Sequence, residues 1–435
     1  MATKIHALHA STLIDGTGAD PIDNAVLVVT DGVITAVGTE TGVQVPGTAE
    51  HVDLHDATLI PGLIDCHTHL GGTQSSDFTQ WVIEDDLQQA VESTVQMREL
   101  MVHGVTTIRD ISRNGLRLKR AVNAGRLPGP RIVACGPGIS RTGGHGDAHN
   151  LHCDLVQRSH PWALLADGPE EIRKTVRLLN RMGSDAVKIW ATGGGMWDKE
   201  LETDQHFDLD ELRAVVREAR MVGAPVLAHA ESLAATKDCL RAGVATLEHG
   251  EELDEECIEM MREQGVVHVP TLQLFLGPWF DHYPPPPREG LENYRGETMV
   301  EKEKNRVADN FNASRTAGVR IAVGSDSFSS ETVPFGVSTL TEVRTMIETG
   351  MPPMEALVAA TLNGARALRV DGVTGSLTVG KSADVLALGL NPLDTPKAYG
   401  KEHIVRVQRG TQVWVDRADD GAERPDGGDR HGEVV

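Results

Sequence analysis

The stretch Leu59-Ile60-Pro61-Gly62-Leu63-Ile64-Asp65-Cys66-His67-Thr68-His69 decides the fold of this 435-residue chain. An apolar β run, entered at Thr58, ends in side chains able to bind a metal. Residues i and i+2 of a strand point to the same face, so His67 and His69 can hold one ion together. Taken alone, the pair reads equally well as two satisfied histidines at a strand end.

Seven further β runs follow: VTTIRD from Val105, RIVACG from Arg131, DAVKIW from Asp185, PVLAHA from Pro225, ATLEHG from Ala245, VVHVPTL from Val266 and RIAVGSD from Arg320. Amphipathic helices separate them. In EEIRKTVRLLNRM, Ile172, Val176, Leu179 and Met182 share one face. A second helix begins at Asp208, takes Glu211 as its capping-box partner and buries Leu209, Leu212 and Val216. Strict β/α alternation implies a parallel sheet, and eight pairs over residues 57–370 predict a closed (β/α)8 TIM barrel. An open doubly wound sheet is the alternative, but the Gly-rich phosphate turn it needs after the first strand is absent.

The chain ends read differently. AVLVVTDGVITAVG (Ala25 to Gly38) carries two β-branched runs around Asp31-Gly32, a hairpin signal. Residues 1–56 and 371–416 are both β-rich and are expected to meet in one small β-sandwich domain. Residues 417–435, charged and Gly-rich, are expected to form a disordered tail.

A formal net charge of −22 argues against nucleic acid as a partner, since phosphate binding needs clustered Lys and Arg. Five cysteines without a CxxC pair are no disulfide framework and fit a reducing cytosol. MATKIHALHASTLIDG lacks the apolar core of a signal peptide, and no stretch is long and apolar enough for a membrane span. The expectation is a cytoplasmic protein acting on a small molecule, with no membrane partner and with homo-oligomerisation left open.

The chemistry lies where the β runs end. Catalytic groups of a TIM barrel come from the C-terminal ends of its strands. His67, His69, Lys188, His229, His249 and Asp326 occupy five such places. Packing would rarely gather four histidines and an aspartate at one mouth. Lys188, mid-strand among apolar neighbours, should face the interior, where burial disfavours its charge. It reads as a lysine paired with a buried acid, as a snorkelling lysine, or as a neutral amine that has taken up carbon dioxide as a carbamate able to bridge two ions.

On these motifs the chain resembles the amidohydrolase superfamily. LIPGLIDCHTH is close to that superfamily's opening signature, and GSLTVGKSADVLAL (Gly375 to Leu388) to its return-strand signature. VKIWATGG (Val187 to Gly194) and RTGGHGD (Arg141 to Asp147) are similar to the imidazolonepropionase-related branch, which includes Xaa-Pro dipeptidases (prolidases). The resemblance implies two divalent ions, zinc foremost with manganese, cobalt or iron as alternatives. His67, His69 and Asp326 would hold the more buried ion, and His229 and His249 the more exposed one. A carboxylated Lys188 would bridge them, and Asp326 would act as general base and then acid. The implied reaction is hydrolysis of an amide-type C–N bond in an N-acyl amino acid, dipeptide or carbamate-like molecule.

Rivals keep to the same scaffold. Mononuclear deaminases and cyclic-amide hydrolases tend to show HxxE and no strand lysine, whereas this chain has His229-Ala230-Glu231 and Lys188. Lactone hydrolysis would use the same residues. A non-catalytic scaffold would not retain all six.

On the substrate side, resemblance assigns His145 to hydrogen-bonding the substrate. Its segment GGHGDAHNLHC also holds His149, His152 and Cys153, at spacings unlike a common structural zinc site. Dipeptidase-like members carry a tyrosine where this chain has Glu231. A glutamate there reads as a contact to a cationic or hydrogen-bond-donating substrate group, or as a carboxylate orienting a ligand histidine. TLQLFLGPWFDHYPPPP (Thr271 to Pro287) gathers Phe275, Trp279, Phe280 and Tyr283, as a substrate cover or as packing against another subunit.

Overall fold

A computed structural model describes residues 3–72, 74, 77–159, 162–194, 196–197, 200–277 and 297–417. The expected tail from 418 onward, and Trp279, Phe280 and Tyr283, lie outside the described residues.

Ten parallel strands form the centre: β1 (Leu63–Thr68), β2 (Val105–Asp110), β3 (Arg131–Ala134), β4 (Gly138–Ser140), β5 (Ala163–Leu165), β6 (Val187–Trp190), β7 (Val226–Ala230), β8 (Thr246–His249), β9 (Val267–Val269) and β10 (Arg320–Ile321). They make a three-stranded sheet in the order β1-β2-β3 and a seven-stranded sheet in the order β5-β4-β6-β7-β8-β9-β10. Backbone hydrogen bonds run between the two sheets at two seams. Cys66 N–H donates to the Val323 carbonyl at 2.8 Å and Asp326 N–H to the His67 carbonyl at 2.8 Å. At the other seam Asp185 N–H donates to the Ala134 carbonyl at 2.7 Å.

All eight expected β runs are strands of this α/β fold. The pair β4 and β5 was not expected, because three residues are too few to show a period.

Helices pack outside as their patterns require. Gly168–Met182 buries Ile172, Val176 and Leu179 against the sheet, while Met182 at the last turn is exposed. Leu209–Met221 is capped by Asp208 with the full capping box to Glu211, and it buries Leu212 and Val216 with Leu209 half-buried. The helix Asp86–Val102 is inverted in its first half, where Gln89, Glu92, Ser93 and Gln96 are buried while Leu87, Val91 and Val95 are exposed, and it buries Met97, Leu100 and Met101 in its second. Gln96 explains part of this, since it takes the Gly71 N–H at 2.7 Å and donates to the Gly72 carbonyl at 2.8 Å. The buried amide thus fixes the turn that follows β1.

Strands from both chain ends share one eight-stranded sheet. In it Ile22–Thr30 and Val33–Thr39 form the expected hairpin, with Asp31 and Gly32 at φ 49° and 80°. Thr58–Pro61 also belongs to this sheet, pairing with Asp384–Leu388. The opening run is therefore two strands rather than one. The break is at Gly62, where a Cβ would stand 2.3 Å from Thr106 Oγ1, so the Thr106 side chain packs there only against a glycine. Gly62 N–H reaches back to Asp384 and Leu63 N–H forward to Gly104, which hands the chain from one sheet to the other.

Candidate metal centre

The C-terminal ends of β1, β6, β7 and β8, with the segment after β10, bring His67, His69, Lys188, His229, His249 and Asp326 to one place. Asp326 Oδ1 lies 3.0 Å from His69 Nε2 and 3.4 Å from His67 Nε2. Lys188 Nζ is 3.4 Å from His67 Nε2. The His249 ring centroid stands 5.3 Å from that of His67 and 4.6 Å from that of His229. Among the described residues, two groups could hold an ion: His67, His69 and Asp326, and His229, Glu231 and His249.

Each histidine commits one nitrogen outward. His69 Nδ1 meets the Ile111 carbonyl at 3.0 Å, His229 Nε2 the Gly193 carbonyl at 3.0 Å, and His249 Nδ1 the Thr271 hydroxyl at 2.7 Å. His67 Nδ1 lies 3.0 Å from Glu248 Oε2. The second nitrogen of each ring is left for the centre, as ligation requires.

The protonation states agree. Burial drives His67 and His229 well below the usual imidazole range and His249 down to about 3, so their lone pairs are available. Burial also pushes Lys188 down to about 8, against the pull of Glu248 and Asp326. Asp326 is the converse: burial works to raise it, but His67 and His69 outweigh that and hold it well below the usual carboxylate range. Imidazole nitrogens and a carboxylate are the donors that zinc-like divalent ions take. The residues fit the metals that the sequence suggested.

Backbone strain sits at the same mouth. His249, Thr271 and Asp326 have φ of 65°, 49° and 53°, a region costing of order 1–3 kcal/mol for a non-glycine residue. At His249 the turn breaks strand alternation, so both Glu248 and His249 serve the interior.

His145 stacks on His229 with centroids 4.6 Å apart, and its Nδ1 contacts Glu200 Oε1 at 3.0 Å. Glu200 also accepts from Met196 N–H at 2.8 Å, and Trp197 Nε1–H donates to the His145 carbonyl at 2.9 Å. Gly194 leaves the room for this stack: a Cβ there would sit 2.5 Å from His145 Cε1. Glu231 is buried, 3.6 Å from His229 Nε2. Phe275 stands 6.3 Å from the His249 ring. His152 and Cys153 are exposed and belong to neither candidate metal group.

Sequence reasoning missed Arg109, Glu248, Glu200 and Asp65. Asp65 accepts from His67 N–H at 3.0 Å, Ser325 N–H at 3.0 Å and Thr339 Oγ1–H at 2.6 Å, and so clamps β1 to the segment carrying Asp326. Charged residues inside β runs were the available signal, in VTTIRD and TLEHG.

Residues 58–416 match the model of the amidohydrolase family. The chain belongs to that family and is a hydrolase acting on carbon–nitrogen bonds. It is similar to the ochratoxinase of Aspergillus niger, 31% identical over 94% of this chain and 85% of that protein. An imidazolonepropionase of Rhizobium rhizogenes is 26% identical over 88% of this chain and 94% of the other. Among solved structures, a Xaa-Pro dipeptidase with methionine in its active site superposes with a TM-score of 0.80 at 28% identity, covering 94% of this chain and 99% of that one. No helix among the described residues is long and apolar enough to cross a membrane.

Proposed function

We propose that the chain hydrolyses an amide-type C–N bond of a small molecule at a binuclear metal centre. The observation that carries this is the meeting of two donor groups beside the buried Lys188, whose amine lies 3.4 Å from His67 Nε2. The two seams of backbone hydrogen bonds support closure of the parallel strands into a barrel, with β4 and β5 beside the mouth.

In this reading His67, His69 and Asp326 would hold one ion and His229 and His249 the other, with a carboxylated Lys188 able to serve both. A neutral Lys188 amine condenses with carbon dioxide to a carbamate and releases one proton. Bound divalent ions supply Lewis acidity and bring a water's pKa to about 7. Asp326 takes the proton of the attacking water and returns it to the leaving nitrogen. His145, held by Glu200, hydrogen-bonds the substrate, and Phe275 lines the same side. The substrate class is an N-acyl amino acid, a dipeptide or a carbamate-like molecule; similarity to the ochratoxinase and the dipeptidase supports it.

Metal analysis of purified protein, with turnover of an N-acyl amino acid and dipeptide panel, tests the proposal. About two ions per chain with amide cleavage is expected. About one ion and no amide cleavage would overturn it in favour of a mononuclear deaminase-like site.

A further inference from the structure

Three of the four histidines at the centre lean on neutral partners, a carbonyl or a hydroxyl. Of the four, only His67 has a carboxylate as its sole outward neighbour; His229 Nε2, bonded to the Gly193 carbonyl, also has Glu231 Oε1 at 3.6 Å. Glu248 is fully buried, and its Oε1 accepts from Arg109 Nη2–H at 2.7 Å and from the Thr246 hydroxyl. Arg109, also buried, donates from Nε to the Cys66 carbonyl at 2.6 Å and from Nη1 to Thr246 Oγ1 at 3.1 Å. One guanidinium on β2 thus reaches β1 directly before His67, and β8 directly before His249. It forms a charged floor beneath the donors. Glu248 Oε2 is left to His67 Nδ1 at 3.0 Å, but the ring N–H does not point squarely at it, so neither atom makes an aligned hydrogen bond. Two buried polar atoms 3.0 Å apart are costly to leave unpaired.

The geometry points to Glu248, anchored by Arg109, as a positioning residue: it fixes His67 as the Nδ1–H tautomer and aims Nε2 at the first ion. The inference rests on the metal reading above. Its energetic basis is that a carboxylate partner both orients an imidazole ligand and makes it more basic. Loss of such partners weakens metal affinity by about 10- to 100-fold. Arg109 holds the carboxylate aimed at His67, so neither residue needs to touch substrate.

The test compares zinc affinities by chelator competition in the wild type and in Glu248→Gln combined with Arg109→Met. Replacing both removes the buried charges together and spares the fold an unpaired guanidinium. The melting temperature of the zinc-free double variant reports folding separately. Expected is a zinc-free protein that melts near the wild type, with one zinc ion bound about 10- to 100-fold more weakly and the other unchanged. Unchanged affinity at both ions, in a protein whose wild type loads normally, overturns this inference alone. A wild type that takes up no zinc overturns the metal reading as well. Nitrogen-15 shifts of the zinc-free wild type give a check that needs no variant: His67 is expected as the Nδ1–H form, and an Nε2–H form refutes the assignment.

Discussion

Glu342 offers a quantitative test away from the metal ligands. Its buried carboxylate accepts from Leu272 N–H at 2.9 Å and Gln273 N–H at 2.7 Å, at the start of the short helix after β9. Gln273 in turn donates to the Ser325 carbonyl at 2.6 Å, next to Asp326. Burial raises the carboxyl to about 8, outweighing those two donors. Between the unfolded carboxyl's ordinary range and pH 8, the folded state therefore holds a proton that the unfolded state has lost. Stability must fall as pH rises through that window, by roughly 1.4 kcal/mol per pH unit. From pH 6 to 8 the loss is about 2–3 kcal/mol, because the slope fades near the folded pKa. Glu342→Gln removes the titration but presents an NH2 to one of the two backbone donors, an offset of about 1–3 kcal/mol at every pH. Chemical denaturation of both proteins at pH 6, 7 and 8 reads the difference. The wild type is expected to run about level with the variant at pH 6, where the offset and the loss already incurred cancel, and to fall about 2–3 kcal/mol behind it by pH 8. Parallel pH profiles would refute the idea that burial dominates at Glu342.

Other perturbations address the centre itself. Asp326→Asn should leave the fold intact and lower kcat by about 100- to 10,000-fold; near-normal turnover removes Asp326 from proton transfer. Lys188→Ala should lower metal content below two ions per chain, whereas unchanged binuclear loading would remove the carbamate bridge. Gly194→Ala drives a methyl into His145 and, at 3.1 Å, against His229 Cε1, so kcat/KM should fall by about 100-fold with little change in melting temperature. Unaltered kinetics would show that the stacked pair does not need its present position.

Much of this was legible in the sequence because strands advertise themselves. Each of the eight β runs is a short apolar stretch, and the metal-competent residues stand at their ends, so linear position already implied shared location. His67, His69, Lys188, His229, His249 and Asp326 do meet. What stayed hidden has no period. Gly138–Ser140 and Ala163–Leu165 are too short to read, and the sheet switch at Gly62 depends on a neighbour, Thr106, that sequence distance conceals. Arg109 and Glu248 did leave a signal, a charge inside a β run, but it does not say where the partner is, and the two lie 139 residues apart. Glu231 was read either as a contact to a substrate group or as a carboxylate orienting a ligand histidine, and it stands 3.6 Å from His229 Nε2.

The sheet made from both chain ends also governs how the protein is born. Ile60 pairs with Leu386, so a strand near the front of the chain waits for one near its back. At ~5–20 residues per second a ribosome needs roughly 15–65 s to deliver that partner. Throughout that interval the nascent chain shows Thr58–Pro61 as an open edge, an invitation to pair with the same segment of another chain. The catalytic half can therefore be complete in sequence while its flanking sheet is not, and that edge stays open until Asp384–Leu388 emerges to pair with it.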